Sequence, residues 1–196
     1  MKRNLKAYFS VEVQAKLKNI LKEKRFIHSI GVANMALKLA EKYGLNKKKA
    51  VIAGLLHDCA RDLSRKKSNY FIKKYNIKFD DITRKVPALW HSYIGPYVAK
   101  EDFEIIDNEI LQAVKYHTSG NINMCSIAKA VYIADYTELS RKYQSSKQIR
   151  AKINTKISLN ELLRFVLKDK LVYLLSEGKL IHTATIDMWN KYNNKQ

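Results

Sequence analysis

Five histidines occur in this chain of 196 residues, and four of them fall where helical periodicity places core residues. His28 shares a stripe with Val32, Met35 and Leu39, at spacings of four, seven and eleven. His57 and Asp58 continue a stripe of Ala50, Ala53 and Gly54, whose small residues let a neighbouring helix come close. His91 lies three residues after Ala88 and four before Gly95, and His117 lies on the face of Ile110, Ala113 and Val114. Asp135 follows Ala128 by seven and Val131 by four. Six ligand-type residues are thus expected to point inward from five helices. A single inward histidine is ordinarily a satisfied core residue, but six converging groups need a common cause. A buried carboxylate without a partner costs several kcal/mol or becomes neutral. A divalent cation compensates that charge and also binds imidazole nitrogen. With no cysteine in the set, iron, manganese, cobalt, nickel and zinc all stay open. Six candidates exceed what one tetrahedral ion needs, and two metals roughly 3.5–4 Å apart, bridged by a carboxylate and a water, would use them.

Such a centre suits attack of a metal-activated hydroxide in line on phosphorus, with cations holding the remaining phosphates. Arg25, Arg61, Arg141 and Arg150 are the candidates for that second task. Arg25 and Arg61 lie three and four residues from His28 and His57, one helical turn away. Asp62 is expected to orient a ligand histidine or to protonate a leaving group. Thr118 and Ser119 suit phosphate contacts or the end of their own helix. His182 is read as a ligand contact or a surface histidine. Tyr136, beside Asp135, suits base stacking or packing, with packing preferred.

The elements that position these residues read as helices throughout, because six glycines and two prolines leave few breakers and no segment alternates with period two. The pattern predicts helices at about 10–24, 26–43, 47–61, 64–76, 88–101, 107–118, 124–139, 143–153, 158–177 and 182–193. Gly44 suits a left-handed helix end, and Asn46 and Asp107 suit N-caps. Ser158 with Glu161 forms a capping box, closed downstream by Gly178. Pro87 separates two helices, whereas Pro96 implies a kink or break within 88–101. One all-α domain over 1–196 is expected, with the motif core at about 20–140 and C-terminal helices at about 143–193.

Apolar residues make up 46%, enough for a globular core. No apolar run approaches the roughly 18–20 residues of a membrane span. No secretory signal follows the basic start, so a cytoplasmic location is expected. Cys59 and Cys125 are far apart, which argues against a disulfide framework or a cysteine-ligated zinc site. Thirty-seven Lys+Arg against 18 Asp+Glu give +19, a field that favours polyanionic partners. Twenty-nine of the 37 are lysines spread along the chain. Compositional bias with solvated helix faces is therefore preferred over a dedicated nucleic-acid surface.

Five blocks in order carry a resemblance: Arg25–Ala33 (RFIHSIGVA), Ala53–Asp58 (AGLLHD), Leu89–Ser92 (LWHS), His117–Gly120 (HTSG) and Ala134–Glu138 (ADYTE). Together they resemble the YqeK-like branch of the HD superfamily of metal-dependent phosphohydrolases, over about residues 15–190. The resemblance implies a helical HD-type domain with a metal centre between core helices, di-iron or another dinuclear pair. It also implies symmetrical hydrolysis of diadenosine tetraphosphate to two ADP, and a homodimer. On the matching positions, His28, His57, Asp58 and Asp135 would hold one metal, and Asp58 would bridge to a second held by His91 and His117. Departures are mild: Ser119 stands for a usual threonine, Arg61 for a usual lysine, Leu139 for a usual proline, and Pro96 for a small helical residue. Two alternatives stay open: the same chemistry on a deoxynucleotide, nucleoside diphosphate or cyclic dinucleotide, or a non-enzymatic basic RNA-binding module that holds no metal.

Overall fold

Side-chain caps set most of the helix starts. Ser10, Asn46, Ser64, Asp80, Asp107 and Ser158 each accept a hydrogen bond from a backbone N–H in the first turn of the helix that follows. In the computed structural model, which describes residues 5–193, the helices are α1 (Val11–Ile20), α2 (Glu23–Tyr43), α3 (Lys47–Leu56), α4 (Arg65–Lys74), α5 (Asp81–Lys85), α6 (Trp90–Phe103), α7 (Asn108–Tyr116), α8 (Ser126–Thr137), α9 (Gln144–Lys152), α10 (Leu159–Ser176) and α11 (Thr183–Asn193). No strand occurs among the described residues. The basic start, Met1–Asn4, lies outside them. Gly44 takes the left-handed position after α2, and the capping box of α10 forms in full.

Helix α3 runs through the middle. After its three N-terminal lysines it presents almost no polar face: Ala50, Val51, Ala53, Gly54, Leu55 and Leu56 are all buried. One cluster packs α2, α3, α7 and α8 against α10 and α11, through Val32, Leu39, Ala53, Ile133, Leu163 and Met188. A second packs α1, α4 and α6 against the other side of α2 and α3, through Leu17, Leu37, Leu55, Phe71, Ile94 and Val98. Each fully buried large aliphatic side chain stabilises the fold by about 1.5–3 kcal/mol relative to exposure. The candidate ligands lie between these two apolar bodies.

Three local readings need correction. Helix α3 stops at Leu56 rather than near 61, so His57 and Asp58 stand in the turn that follows. Helix α6 continues through Pro96 to Phe103 without a break. The proline removes one N–H from the ladder, but its ring is buried against the rest of the molecule, and packing outweighs the lost bond. The five-residue α5 falls between the expected helices 64–76 and 88–101; Asp80 caps it and Pro87 opens the 3₁₀ turn that leads into α6.

Gly120 offers a stability test. Its φ is +78°, and a Cβ built there would lie 2.0 Å from Sδ of the fully buried Met188. Gly120→Ala combines a left-handed backbone with overpacking and is expected to cost about 2–4 kcal/mol, read as a lower denaturation midpoint.

Candidate metal centre

Each candidate ligand histidine is oriented by a bond from its other ring nitrogen. Nδ1 of His57, His91 and His117 lies 2.8 Å from the carbonyl oxygens of Gly54, Ala88 and Val114. A carbonyl only accepts, so each Nδ1 carries the proton and each Nε2 presents a lone pair inward. His28 follows the same logic with a carboxylate, its Nδ1 standing 3.1 Å from Glu138 Oε1. The inward atoms converge. His91 Nε2 and His117 Nε2 are 3.0 Å apart and lie 3.1 and 3.4 Å from Asp58 Oδ1. His57 Nε2 is 3.8 Å from Asp58 Oδ2, and His28 Nε2 is 3.0 Å from Asp135 Oδ1.

Two ligand triads result, His28–His57–Asp58 and Asp58–His91–His117, and they share Asp58. The donor set fits divalent metal by a direct test. His57 Nε2 is fully buried and has no hydrogen-bond partner among the described residues, an arrangement costly for a polar atom unless something coordinates it. Helix geometry adds to the fit, because His57 and His117 follow the C-terminal ends of α3 and α7, where backbone carbonyls concentrate negative potential.

Protonation in the metal-free protein follows from the same contacts. Burial lowers His57 and His91 from 6.5 to about 4 despite Asp58. For His28 burial also pulls downward, but the bonds to Asp135 and Glu138 outweigh it and raise the ring to about 9. Asp58 lies well below the ordinary carboxylate range: burial pushes it up, and the surrounding His57, His117 and His91 more than reverse that. The contributions of His57 and His91 to stability are present above about 6.5 and are lost as pH falls toward 4. That of His28 is complete below 6.5 and is lost as pH rises through about 9. Thermal melts of chelator-treated protein should therefore peak near pH 6.5 and fall on both sides. A midpoint rising steadily from pH 4 to pH 9 would contradict this protonation pattern.

A polar cavity of about 640 Å³ opens over the cluster, lined by Lys22, Lys24, Arg25, Arg61, Arg141 and Thr118 beside the ligands. Arg25 Nη1 is 4.0 Å from Asp58 Oδ2, and Arg141 Nη2 is 2.7 Å from Asp135 Oδ1. Arg61 Nη1 donates to the Ala88 carbonyl and stands 2.7 Å from His91 Nδ1. The buried Thr118 Oγ1 has no partner, so this hydroxyl does not cap its helix.

Four other expected site residues stand elsewhere or act differently. Asp62 contacts no histidine: Oδ1 accepts from Arg25 Nε at 2.9 Å and Oδ2 from the Lys22 N–H at 3.0 Å, which fixes Arg25 and the start of α2. Arg150 does not line the cavity, because its guanidinium is committed to the carbonyls of Thr137, Glu138 and Arg141. It braces the loop that carries Arg141. Ser119 is buried away from the cavity, and its carbonyl accepts from Thr185 Oγ1 at 2.8 Å. His182 is buried and does not line the polar cavity; Nε2 lies 3.0 Å from Asp80 Oδ2 and 3.1 Å from Tyr93 Oη, tying the start of α11 to α5 and α6.

Glu138 is the site residue that periodicity missed. It is almost fully buried, closes α8, and accepts from His28 Nδ1 and the Ser140 N–H. The available signal was its spacing, three residues after Asp135 on the same helix face.

The HD domain family model matches residues 25–140. The chain is 32% identical to the symmetrical bis(5'-nucleosyl)-tetraphosphatase of Bacillus subtilis over 91% of its length and 95% of the relative's. It is 31% identical to the Staphylococcus aureus protein of the same name, over 90% of each chain. The solved structure of a predicted HD superfamily hydrolase involved in NAD metabolism, from Clostridium acetobutylicum, superposes with a TM-score of 0.85 at 32% identity, covering 93% of this chain and 95% of that one. The ordered ligand blocks, the shared Asp58 and these matches agree: the chain belongs to the HD domain family.

Proposed function

We propose that this protein is a metal-dependent phosphoanhydride hydrolase that cuts diadenosine tetraphosphate symmetrically into two ADP. The carrying observation is the pair of ligand triads sharing Asp58 beneath an arginine- and lysine-lined cavity. Support also comes from relatives named symmetrical bis(5'-nucleosyl)-tetraphosphatase that align over nearly their whole length. The resident cofactor is read as two divalent ions, iron first, with manganese, cobalt, nickel or zinc as alternatives. His28, His57, Asp58 and Asp135 would hold one, and Asp58, His91 and His117 the other. The chemistry supplied by bound divalent metal is Lewis acidity, toward an attacking water and toward phosphoryl oxygens.

The remaining work falls to the chain. Arg25, Arg61 and Arg141 screen the negative charge of the polyphosphate, and Thr118 Oγ1 offers it a free hydroxyl. Asp62 and the Arg150-braced loop hold Arg25 and Arg141 in place, so phosphate contacts are made without reorganisation. The backbone carbonyls and Glu138 hold Nδ1 of all four histidines, which orients each Nε2 toward the cluster. We read the 196 residues as one HD-type unit acting in the cytoplasm as a homodimer. No helix among the described residues is long and apolar enough to cross a membrane.

Product analysis on diadenosine tetraphosphate tests the reading. ADP as sole nucleotide product is expected. AMP with ATP would mean asymmetric attack, and absence of turnover by metal-loaded protein would remove this substrate.

A further inference from the structure

A second cavity, of about 410 Å³, meets the polar one at His117, Asp135 and Arg141. Its chemistry is different. Tyr132, Tyr136, Tyr143 and Tyr173 line it with Val166 and Val172. The cationic groups near it turn elsewhere: Arg141 faces Asp135 and the polar cavity, Lys170 Nζ donates to the Thr118 carbonyl and lies 4.8 Å from the Tyr132 ring centroid, and Lys179 Nζ donates to Tyr173 Oη. Asp169, also on the wall, has no partner among the described residues, and burial raises its carboxyl above the ordinary value. A carboxylate on the wall, with the nearby cations turned elsewhere, makes this a poor place for phosphate. Yet the cavity asks for more than hydrocarbon, because two wall hydroxyls, Tyr132 Oη and Ser146 Oγ, are buried without any hydrogen-bond partner. At the mouth, Tyr143 and Tyr173 are 69% and 49% exposed; Lys179 Nζ lies 4.4 Å from the Tyr173 ring centroid and donates to its hydroxyl, while the Tyr143 ring stands in water.

Resting on the tetraphosphatase reading, we propose that this aromatic cavity is a nucleoside subsite, taking the base and ribose at one end of the substrate while its phosphates lie over the ligand cluster. A base stacks on tyrosine faces, and the hydroxyls and ring nitrogens of a nucleoside satisfy Tyr132 Oη and Ser146 Oγ. The volume lies in the range of small-molecule sites. The two cavities thus divide one ligand by chemistry, polyphosphate to the arginines and nucleoside to the tyrosines.

The test is calorimetric binding of ADP and of methylenediphosphonate, a phosphate portion with neither nucleoside nor cleavable anhydride, to the metal-loaded protein. Tyr173→Ala, at the exposed mouth, is expected to weaken ADP about tenfold and to leave methylenediphosphonate unchanged. Ser146→Ala should weaken ADP in the same selective way by a smaller factor. This selectivity, even in a protein that fails to cleave diadenosine tetraphosphate, would support the subsite while removing the proposed substrate. Unchanged ADP affinity in both variants would overturn the subsite, and so would equal losses for the two ligands. A change of oligomeric state in Tyr173→Ala with ADP affinity intact would also overturn it, by assigning the tyrosine face to a second copy of the chain.

Discussion

Asp58→Ala is expected to strip the protein of metal and to lower turnover far beyond 100-fold, with helix content unchanged. The expectation follows from the position of one carboxylate. Oδ1 lies within 3.4 Å of the inward nitrogens of His91 and His117, and Oδ2 lies 3.8 Å from that of His57. Removing it breaks both triads at once and leaves Asp135 as the remaining carboxylate of the proposed ligand set. Losing a partner that merely orients a ligand costs about 10–100-fold in metal affinity or activity, so a shared ligand must cost more. The fold should survive. Asp58 contributes its backbone carbonyl to the turn, through a 2.8 Å bond from the Arg61 N–H, and alanine keeps that carbonyl. Asp58→Asn separates charge from shape: it keeps the volume, loses the compensating negative charge, and should behave nearly as badly. Metal content, kcat/KM and far-ultraviolet circular dichroism on the same preparations check all three statements. Parent-level turnover in Asp58→Ala would mean that the reaction does not use this cluster.

The second large effect is expected from a residue that is no ligand. A Cβ on Gly31 would lie 2.5 Å from Glu138 Oε2. That carboxylate has nowhere easy to go, since His28 Nδ1 and the Ser140 N–H already hold it. Gly31→Ala should push Glu138 off His28, free the imidazole to turn, and lower metal affinity and activity by about 10–100-fold. Helix propensity favours alanine over glycine by roughly 1 kcal/mol and offsets part of the overpacking, so a melting midpoint read beside activity separates lost metal affinity from unfolding. A double-mutant cycle makes the test specific. Glu138→Ala should cost as much as Gly31→Ala, and the double variant should cost little more than either single one, because both act through the same bond. Additive losses would show that Gly31 acts by another route.

The legibility of this site has a physical pattern. Histidines and aspartates on apolar faces violate the ordinary inside-outside rule, so His28, His91, His117 and Asp135 announced themselves through helical spacing, and the structure brings them to one place. Their number and identity were enough to suggest two ions sharing a carboxylate. Periodicity was less informative where the chain leaves the helix. His57 and Asp58 extend the stripe of α3 in sequence but sit in the turn after it, beyond the helix whose periodicity located them. Partner choice among charged residues was also hidden. Asp62 could have faced a histidine from its spacing alone, yet it faces Arg25 and the Lys22 N–H across the fold. Arg150 and His182 reached carbonyls and Asp80 for the same reason: such contacts join elements far apart in the chain. Glu138 stands in the ADYTE block, but nothing in its spacing gave it a role, because a lone glutamate at a helix end is ordinarily solvated. Only the packing of α8 against α2 at Gly31 shows that it is enclosed.

Metal analysis of anaerobically purified, full-length protein tests the central claim most directly. Two triads that share a carboxylate predict about two divalent ions per chain, falling toward zero in Asp58→Ala. A purified parent protein that holds no metal, and takes up none when it is supplied, would contradict a dinuclear hydrolase and leave the buried, unpartnered nitrogen of His57 without an explanation.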